Sequence, residues 1–109
     1  MSVQVIISQV GPLPITVQFN AIGDFPMYLE VNGSVWTQTP NVMTGIDIAI
    51  DGQPVGTAQI FSNGPTTHRA VVPAYIPVAL AQGAHKLTLS ASKNTVSDFN
   101  DYYTAVVHY

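Results

Sequence analysis

The chain lacks cysteine and has few charged residues. None of its 109 residues is cysteine, and Asp, Glu, Lys and Arg together make up 8%, against roughly 25% in an ordinary soluble domain. The missing thiols exclude disulfides, thiol catalysis and thiolate metal sites. Arg69, Lys86 and Lys93 are the only lysines and arginines, and the formal net charge is -3. So few cations exclude nucleic-acid binding and a polybasic membrane-surface role.

Long apolar runs and helical patterns are also missing. No stretch approaches the roughly 20 apolar residues of a membrane helix, so membrane insertion is not expected. Residues 1–14 have no basic region before their short apolar stretch and do not predict a secretory signal peptide. The expectation is cytoplasmic synthesis, with any export by a non-classical route. No window has a sustained i, i+3, i+4 apolar stripe, and 8 prolines and 8 glycines are scattered along the chain, so helices are not expected.

Apolar residues alternate with polar ones along several segments, which is typical of half-buried antiparallel strands. In residues 27–31, for example, Met27, Leu29 and Val31 lie on one face of the predicted strand. Hydrophobic residues make up 47% of the chain, enough for a packed core. About eight to ten strands at spacings near ten residues predict an all-β antiparallel sandwich or small barrel. Residues 1–109 are expected to form one domain.

Glycine-containing pairs mark the predicted turns. Asn-Gly and Asp-Gly between apolar segments favour two-residue type I′ turns, because both residues tolerate positive φ. Such hairpin turns are predicted at Asn32-Gly33 and at Asp51-Gly52. Asn63-Gly64-Pro65 is predicted to break the chain, and Gln82-Gly83 to precede a further strand.

Two segments carry more apolar surface than one sandwich face buries. Residues 71–83 predict a core-crossing strand that also contributes to a subunit contact. Residues 102–109 are rich in aromatic and β-branched side chains, with tyrosines on both faces. A monomeric sandwich needs only one apolar face, so the second face is predicted to pack against identical copies. The alternative is a stable monomer that simply has few charges.

Catalytic motifs are not found. The sequence contains no G-x-S-x-G elbow, no H-E-x-x-H and no phosphate-binding G-x-x-x-x-G-K-[ST] loop. Of the six acidic residues, Asp51 belongs to its turn and the others have no context that would mark a catalytic pair. The protein is therefore expected not to be an enzyme.

One segment offers metal ligands. Asp98, Asn100 and Asp101 place oxygen atoms within four residues, as calcium prefers. The alternative is a loop in which these side chains cap their own backbone. The three histidines are far apart in the sequence, and each is expected to be a hydrogen-bonded structural residue. The expectation is no cofactor, with calcium at residues 98–101 as the weaker interpretation.

Three polar clusters predict recognition of a neutral sugar. Residues 66–69 place the only arginine after two hydroxyls and a histidine, and residues 98–103 place two carboxylates and an amide beside two tyrosines. The sole tryptophan, Trp36, lies among further polar groups in residues 34–39. An arginine fork beside a carboxylate can hold vicinal hydroxyls, and an aromatic ring can cover the C–H face of the sugar. The predicted ligand-binding residues are Trp36, Thr67, His68, Arg69, Asp101 and Tyr102.

Residues 45–109 resemble TNF-like jelly rolls, and more narrowly the trimeric fucose-binding bacterial lectin domains of that fold. The segments that carry the resemblance are GIDIAI, AQIFSNGPTTHRAVVP, GAHKLTLSAS and DFNDYYTAVVHY. The resemblance implies a homotrimer with a sugar pocket between protomers, to which Thr67, Arg69 and Asp101 contribute. Asp47 stands near the position where those lectins carry a tyrosine, and their second arginine has no counterpart here.

These patterns support two hypotheses. The first is a non-enzymatic, lectin-like homotrimer that binds a neutral glycan near subunit boundaries, with fucosylated glycans among the candidate ligands. The second is a structural trimeric module, or the tip of a larger appendage, without a small-molecule site. In that second interpretation Arg69 pairs with Asp98 or Asp101 at a subunit contact and Trp36 fills the core.

Overall fold

The protein is built from β-strands. A computed structural model describes residues 2–109, and none of these residues is helical. Within the same residues, no helix is long and apolar enough to span a membrane. The strands are β1 (Val3–Val10), β2 (Ile15–Ala21), β3 (Pro26–Val35), β4 (Val42–Ile50), β5 (Gln53–Ser62), β6 (Arg69–Ala70), β7 (Ala74–Ala79), β8 (Gly83–Ala91) and β9 (Tyr102–His108).

The strands form two antiparallel sheets packed as a sandwich. The five-stranded sheet has the order β1-β9-β3, and the outer edge of β3 pairs with β7 along Pro26–Val31 and with β6 at Ser34 and Val35. The four-stranded sheet has the order β2-β8-β4-β5. The predicted all-β antiparallel jelly-roll sandwich is therefore confirmed.

The hairpin predicted at Asp51-Gly52 is confirmed. Ile50 pairs with Gln53, which leaves two residues in the turn. Asp51 has a φ of 52° and Gly52 a φ of 80°, as a type I′ turn requires.

The hairpin predicted at Asn32-Gly33 is wrong. Strand β3 continues through both residues, which pair with Thr104 and Tyr103 of β9. Neither residue has a positive φ. The hydrogen bonds of β9 along β3 hold this pair extended and override its local turn preference.

The segment 71–83 contains an edge strand, so the predicted core-crossing strand is also wrong. Strand β7 pairs with β3 alone, and Pro77 lies inside it. A proline is tolerated there because an edge strand has a free side on which the missing N–H is harmless.

The core lies between the two sheets. Alternate residues of each strand point inward, and the buried side chains are mostly aliphatic. The five-stranded sheet contributes Leu29, Val31 and the fully buried Tyr103, and the four-stranded sheet contributes Ile48 and Leu89 among others.

The two sheets differ on their outer faces. The outer face of the five-stranded sheet carries Val5, Tyr28, Tyr75 and Tyr102, all exposed. The outer face of the four-stranded sheet is mainly hydroxyl and amide side chains, such as the Thr16–Thr88 pair, whose hydroxyls are 3.2 Å apart. The five-stranded sheet therefore presents an aromatic outer face, and the four-stranded sheet a mainly polar one.

Candidate functional site

Asp101 organises the loop that precedes β9. Its side chain is fully buried. Ser34 Oγ and His68 Nδ1 each donate to Oδ1 at 2.7 Å, and the backbone N–H of Asp98 donates to Oδ2 at 2.9 Å. Both carboxylate oxygens are thus engaged inside the protein. Asp101 positions Ser34 and His68 and does not face solvent.

His68 links this carboxylate to Trp36. The two rings lie 5.7 Å apart between centroids, at an interplanar angle of 37°. The hydrogen bond to Asp101 raises the pKa of His68, because the carboxylate stabilises the imidazolium. The indole N–H of Trp36 is buried and has no hydrogen-bond partner among residues 2–109. One face of Trp36 is therefore covered by His68 instead of being free for a ligand.

The same loop brings together donor atoms that could hold a metal ion. His68, Asp98 and Asp101 each offer one ligand atom, and these atoms lie within 4.8 Å of one another. His68 thus replaces Asn100 of the set predicted from the sequence. The backbone N–H of Asn100 instead donates to Asp98 Oδ1 at 2.8 Å, as in the backbone-capping alternative. A mixed imidazole and carboxylate set suits a transition metal better than calcium, and Asp101 would have to give up a hydrogen bond to bind an ion.

A shallow depression of about 300 Å³ lies beside this cluster on the outer face of the five-stranded sheet. It lies between the end of β6 and the start of β7, where the connection still holds the β3 edge through the Val71 N–H, which donates to the Gly33 carbonyl oxygen at 2.9 Å. The Tyr102 ring is 48% exposed, and its hydroxyl is 2.6 Å from Ser8 Oγ. The residues that line the depression are Asn32, Gly33, Ser34, Ala70, Tyr102 and Thr104.

The residues predicted from the sequence lie at different positions around this depression. Tyr102 lines it, and Asp101 and His68 are connected to it through Ser34, whose hydroxyl donates to the same Asp101 oxygen as His68. Thr67 and Arg69 are exposed on the segment that leads into it. Trp36 lies on the far side of His68.

Arg69 is not engaged by a carboxylate. Within residues 2–109, no ion pair involves this side chain. Asp101 binds His68 instead, at 2.7 Å. The guanidinium is therefore exposed at the edge strand β6, next to Ala70 of the depression.

Sequence reasoning missed the three polar lining residues other than Tyr102, which are Asn32, Ser34 and Thr104. Asn32 is predicted from the sequence to lie in a turn and Ser34 to begin the next strand, so neither is placed on the outer face of one continuous β3. The alternation of the preceding segment contains the missing signal, since Asn32 and Ser34 continue the outward-facing positions of Tyr28 and Glu30. Thr104 follows in the same way from the outward position of Tyr102.

Comparison with known proteins is informative about the fold. No protein-family model and no curated protein sequence matches the chain. The solved structures that resemble it include a family 35 carbohydrate binding module from Clostridium thermocellum, with 12% identity, 98% of each chain covered and a TM-score of 0.55. Carbohydrate-binding module CBM36 in complex with calcium and xylotriose matches at 16% identity, with 99% of this chain and 98% of that chain covered and a TM-score of 0.46.

A viral protein matches about as well as the second module. A chain of the T13 IBDV viral particle is 18% identical, with 99% of this chain and 31% of that chain covered and a TM-score of 0.48. With TM-scores below 0.5, neither it nor CBM36 bears on the present site. The family 35 module supports the sandwich fold, which is the coarse part of the resemblance drawn from the sequence. The TNF-like subtype, the fucose-binding lectins and the trimer stay predictions.

Proposed function

We propose that the protein binds carbohydrate without chemically changing it, and that the depression beside Tyr102 is its primary site. The observation that carries this proposal is a half-exposed tyrosine ring next to neutral hydrogen-bonding side chains in one depression of about 300 Å³. That volume is at the lower end of the range for small-ligand sites. The fold it shares with a carbohydrate binding module supports the same conclusion.

The lining residues suit a sugar ring in their chemistry. The Tyr102 ring offers an apolar surface to the C–H face of the sugar. Asn32 Oδ1 accepts from the backbone N–H of Gly33 at 2.9 Å, which leaves its amide N–H groups free to donate. Ser34 already donates to Asp101, so its lone pairs can accept from a sugar hydroxyl. Thr104 can do either.

The other predicted residues have supporting parts in this proposal. Asp101 fixes the Ser34 hydroxyl, and His68 completes the hydrogen bonds of Asp101. Arg69 pairs with the inward-facing Val35, so Arg69 and Thr67 would contact a substituent of the sugar from the edge of the sheet and not from the outer face that carries the depression. Fucosylation of the ligand stays a prediction from the sequence resemblance.

Assembly as a homotrimer is a separate part of the proposal. The depression is lined by β3, β6 and β9 of a single chain, so sugar binding does not require a neighbouring protomer. The alternative function, a structural trimeric module, would leave the depression without a ligand.

The experiment is a glycan-array screen followed by calorimetry with the best short sugar. We expect Tyr102→Ala to weaken binding by about tenfold, because the loss of stacking and buried apolar area costs about 1.4 kcal/mol. Tyr102→Phe should keep most of the affinity, since the ring remains. The matched control is Tyr28→Ala, which removes an equally exposed tyrosine elsewhere on the same sheet and should leave the affinity for a short sugar unchanged.

Two results would contradict the proposal. The first is a wild-type protein that binds no glycan at millimolar concentration. The second is binding that Tyr102→Ala does not weaken, which would place the site elsewhere on the molecule.

A further inference from the structure

Three exposed tyrosines share the outer face of the five-stranded sheet, here called the tyrosine face. Tyr28, Tyr75 and Tyr102 are 56%, 61% and 48% exposed. They lie on three different strands, β3, β7 and β9. Their inward-pointing neighbours, such as Leu29 and Tyr103, are buried, so strand alternation sends all three rings to the same side.

The tyrosine face is much longer than the depression. Tyr28 lies opposite His108 in the β3–β9 register, and His108 is six positions along β9 from Tyr102. At about 3.4 Å per residue, the tyrosines at the two ends lie about 20 Å apart. Tyr75 lies beside this line, because its partner Glu30 is opposite Val106 of β9. That span is longer than one or two sugar rings can cover.

Polar groups lie along the middle of the face. Thr104 and Asn32 face each other within the depression. Further along, Glu30 accepts hydrogen bonds on both oxygens, from His108 Nε2 at 2.7 Å and from the Tyr75 hydroxyl at 3.2 Å. The face thus alternates aromatic rings with hydrogen-bonding groups, as a ligand with both C–H faces and hydroxyls requires.

The charge on this face favours a neutral ligand. Strands β1, β3, β7 and β9 contain no lysine or arginine. Glu30 is their only acidic residue, and it is already bonded to His108 at 2.7 Å. A second copy of the chain is a poorer fit, because an interface core is depleted of charged groups and this pair would lie at its centre.

We propose that the tyrosine face binds a linear, neutral oligosaccharide that runs from the depression at Tyr102 to Tyr28 and Tyr75. This inference rests on the proposed function, which it deepens from a single sugar to a chain. Either end of the oligosaccharide, reducing or non-reducing, can lie at Tyr102. The part of the face beyond the depression adds affinity only when the ligand is long enough to reach it.

The test is a chain-length series, from monosaccharide to hexasaccharide of the sugar that binds best, titrated calorimetrically. Affinity should rise with length until the chain spans the face and then stay constant. Tyr28→Ala and Tyr75→Ala should each weaken binding of the long ligand by about fivefold and leave the monosaccharide unchanged. Tyr102→Ala should weaken both. Phe61→Ala, which removes a half-exposed ring from the four-stranded sheet, is the control and should change neither.

The outcomes separate this inference from the proposed function. If affinity does not grow with chain length and Tyr28→Ala and Tyr75→Ala are silent for every ligand, the inference is wrong while a short-sugar site at Tyr102 stands. If no glycan of any length binds, both fail. If Tyr28→Ala reduces the molecular mass in solution without changing glycan affinity, a second copy occupies the face and the inference is wrong. Circular dichroism of each variant checks that the sandwich is intact.

Discussion

Gly33 lies against the Tyr103 ring in the middle of the five-stranded sheet. A Cβ atom at this position would lie 2.9 Å from the Tyr102 carbonyl oxygen and would collide with Cδ1 of Tyr103. Tyr103 is fully buried, and desolvation raises the pKa of its hydroxyl to about 12. Because the ring is enclosed by the core, it has little room to move away from an added methyl group.

Gly33→Ala is therefore expected to lower the free energy of unfolding by about 1 to 3 kcal/mol, the usual cost of overpacking a core. Urea denaturation followed by circular dichroism measures this change. Gly64→Ala is the matched control, because a Cβ at Gly64 meets nothing within 4 Å. Equal stability of the two variants would contradict the packing role assigned to Gly33.

The same glycine illustrates what a local sequence can and cannot predict. Asp51-Gly52 forms the predicted turn, whereas Asn32-Gly33 has the same turn preference and lies inside a strand. The difference comes from β9, which pairs with β3 through Thr104 and Tyr103. These partners are about 70 residues away in the chain, and local propensity contains no information about them.

Elements far apart in the chain are joined by His85 at the start of β8. Its Nδ1 lies 2.6 Å from Asp51 Oδ2 in the β4–β5 turn, and its Nε2 lies 2.6 Å from the Ala81 carbonyl oxygen. Both partners are acceptors, so both ring nitrogens must carry hydrogen and the imidazole is charged. The hydrogen bond to Asp51, helped by the Ala81 carbonyl, raises the pKa of His85, and the same bond, helped by the Lys86 N–H, lowers the pKa of Asp51.

These shifts predict how stability depends on pH. The folded-state pKa of His85 is raised, so its contribution is complete below about pH 6.5, the value of an unfolded histidine, and is lost as the pH rises through the folded-state value. The melting temperature should therefore fall on the alkaline side. In His85→Gln this part of the decrease should be absent. The difference in melting temperature between wild type and His85→Gln, measured across neutral pH, separates the contribution of His85 from that of His68, whose pKa is also raised.

Asp51 limits the stability of the same contact on the acidic side. Its folded-state pKa is lowered, so its contribution is present above about pH 3.9 and is lost as the pH falls through the folded-state value. An NMR titration of the His85 ring checks the assignment directly. A midpoint at or below that of a free histidine would contradict a stabilising His85–Asp51 hydrogen bond. Identical pH profiles of the melting temperature for wild type and His85→Gln would contradict it as well.

The site depends on elements that sequence patterns do not place side by side. Tyr102 and Asp101 could be predicted because aromatic and carboxylate side chains cluster in residues 98–103. Asn32 and Ser34 come from a strand in the first third of the chain, and they meet Tyr102 only through the β3–β9 pairing. Alternation predicts which residues face outward, but not which strands are neighbours, so the depression follows only from the topology.

At the scale of the whole molecule, the sequence predicted a sandwich with apolar surface left over. The structure places about half of that surface on the tyrosine face, which includes the outer side of β9. An excess of exposed apolar residues is consistent with either a subunit contact or a ligand platform. The hydrogen-bonded polar groups of Glu30 and Tyr102 on this face favour a ligand platform over a subunit contact.

This assignment predicts that the mass in solution is independent of glycan. If an oligosaccharide covers the tyrosine face, that face cannot also hold identical copies together, so saturating ligand should add only its own mass. Size exclusion coupled to light scattering measures this with and without the oligosaccharide. A mass of three chains of 11.6 kDa in both conditions would support the trimer with contacts outside the tyrosine face. A single-chain mass would contradict the trimer but not the glycan site, because one chain forms that site alone. Dissociation on adding glycan would mean that assembly and sugar binding compete for the same tyrosines.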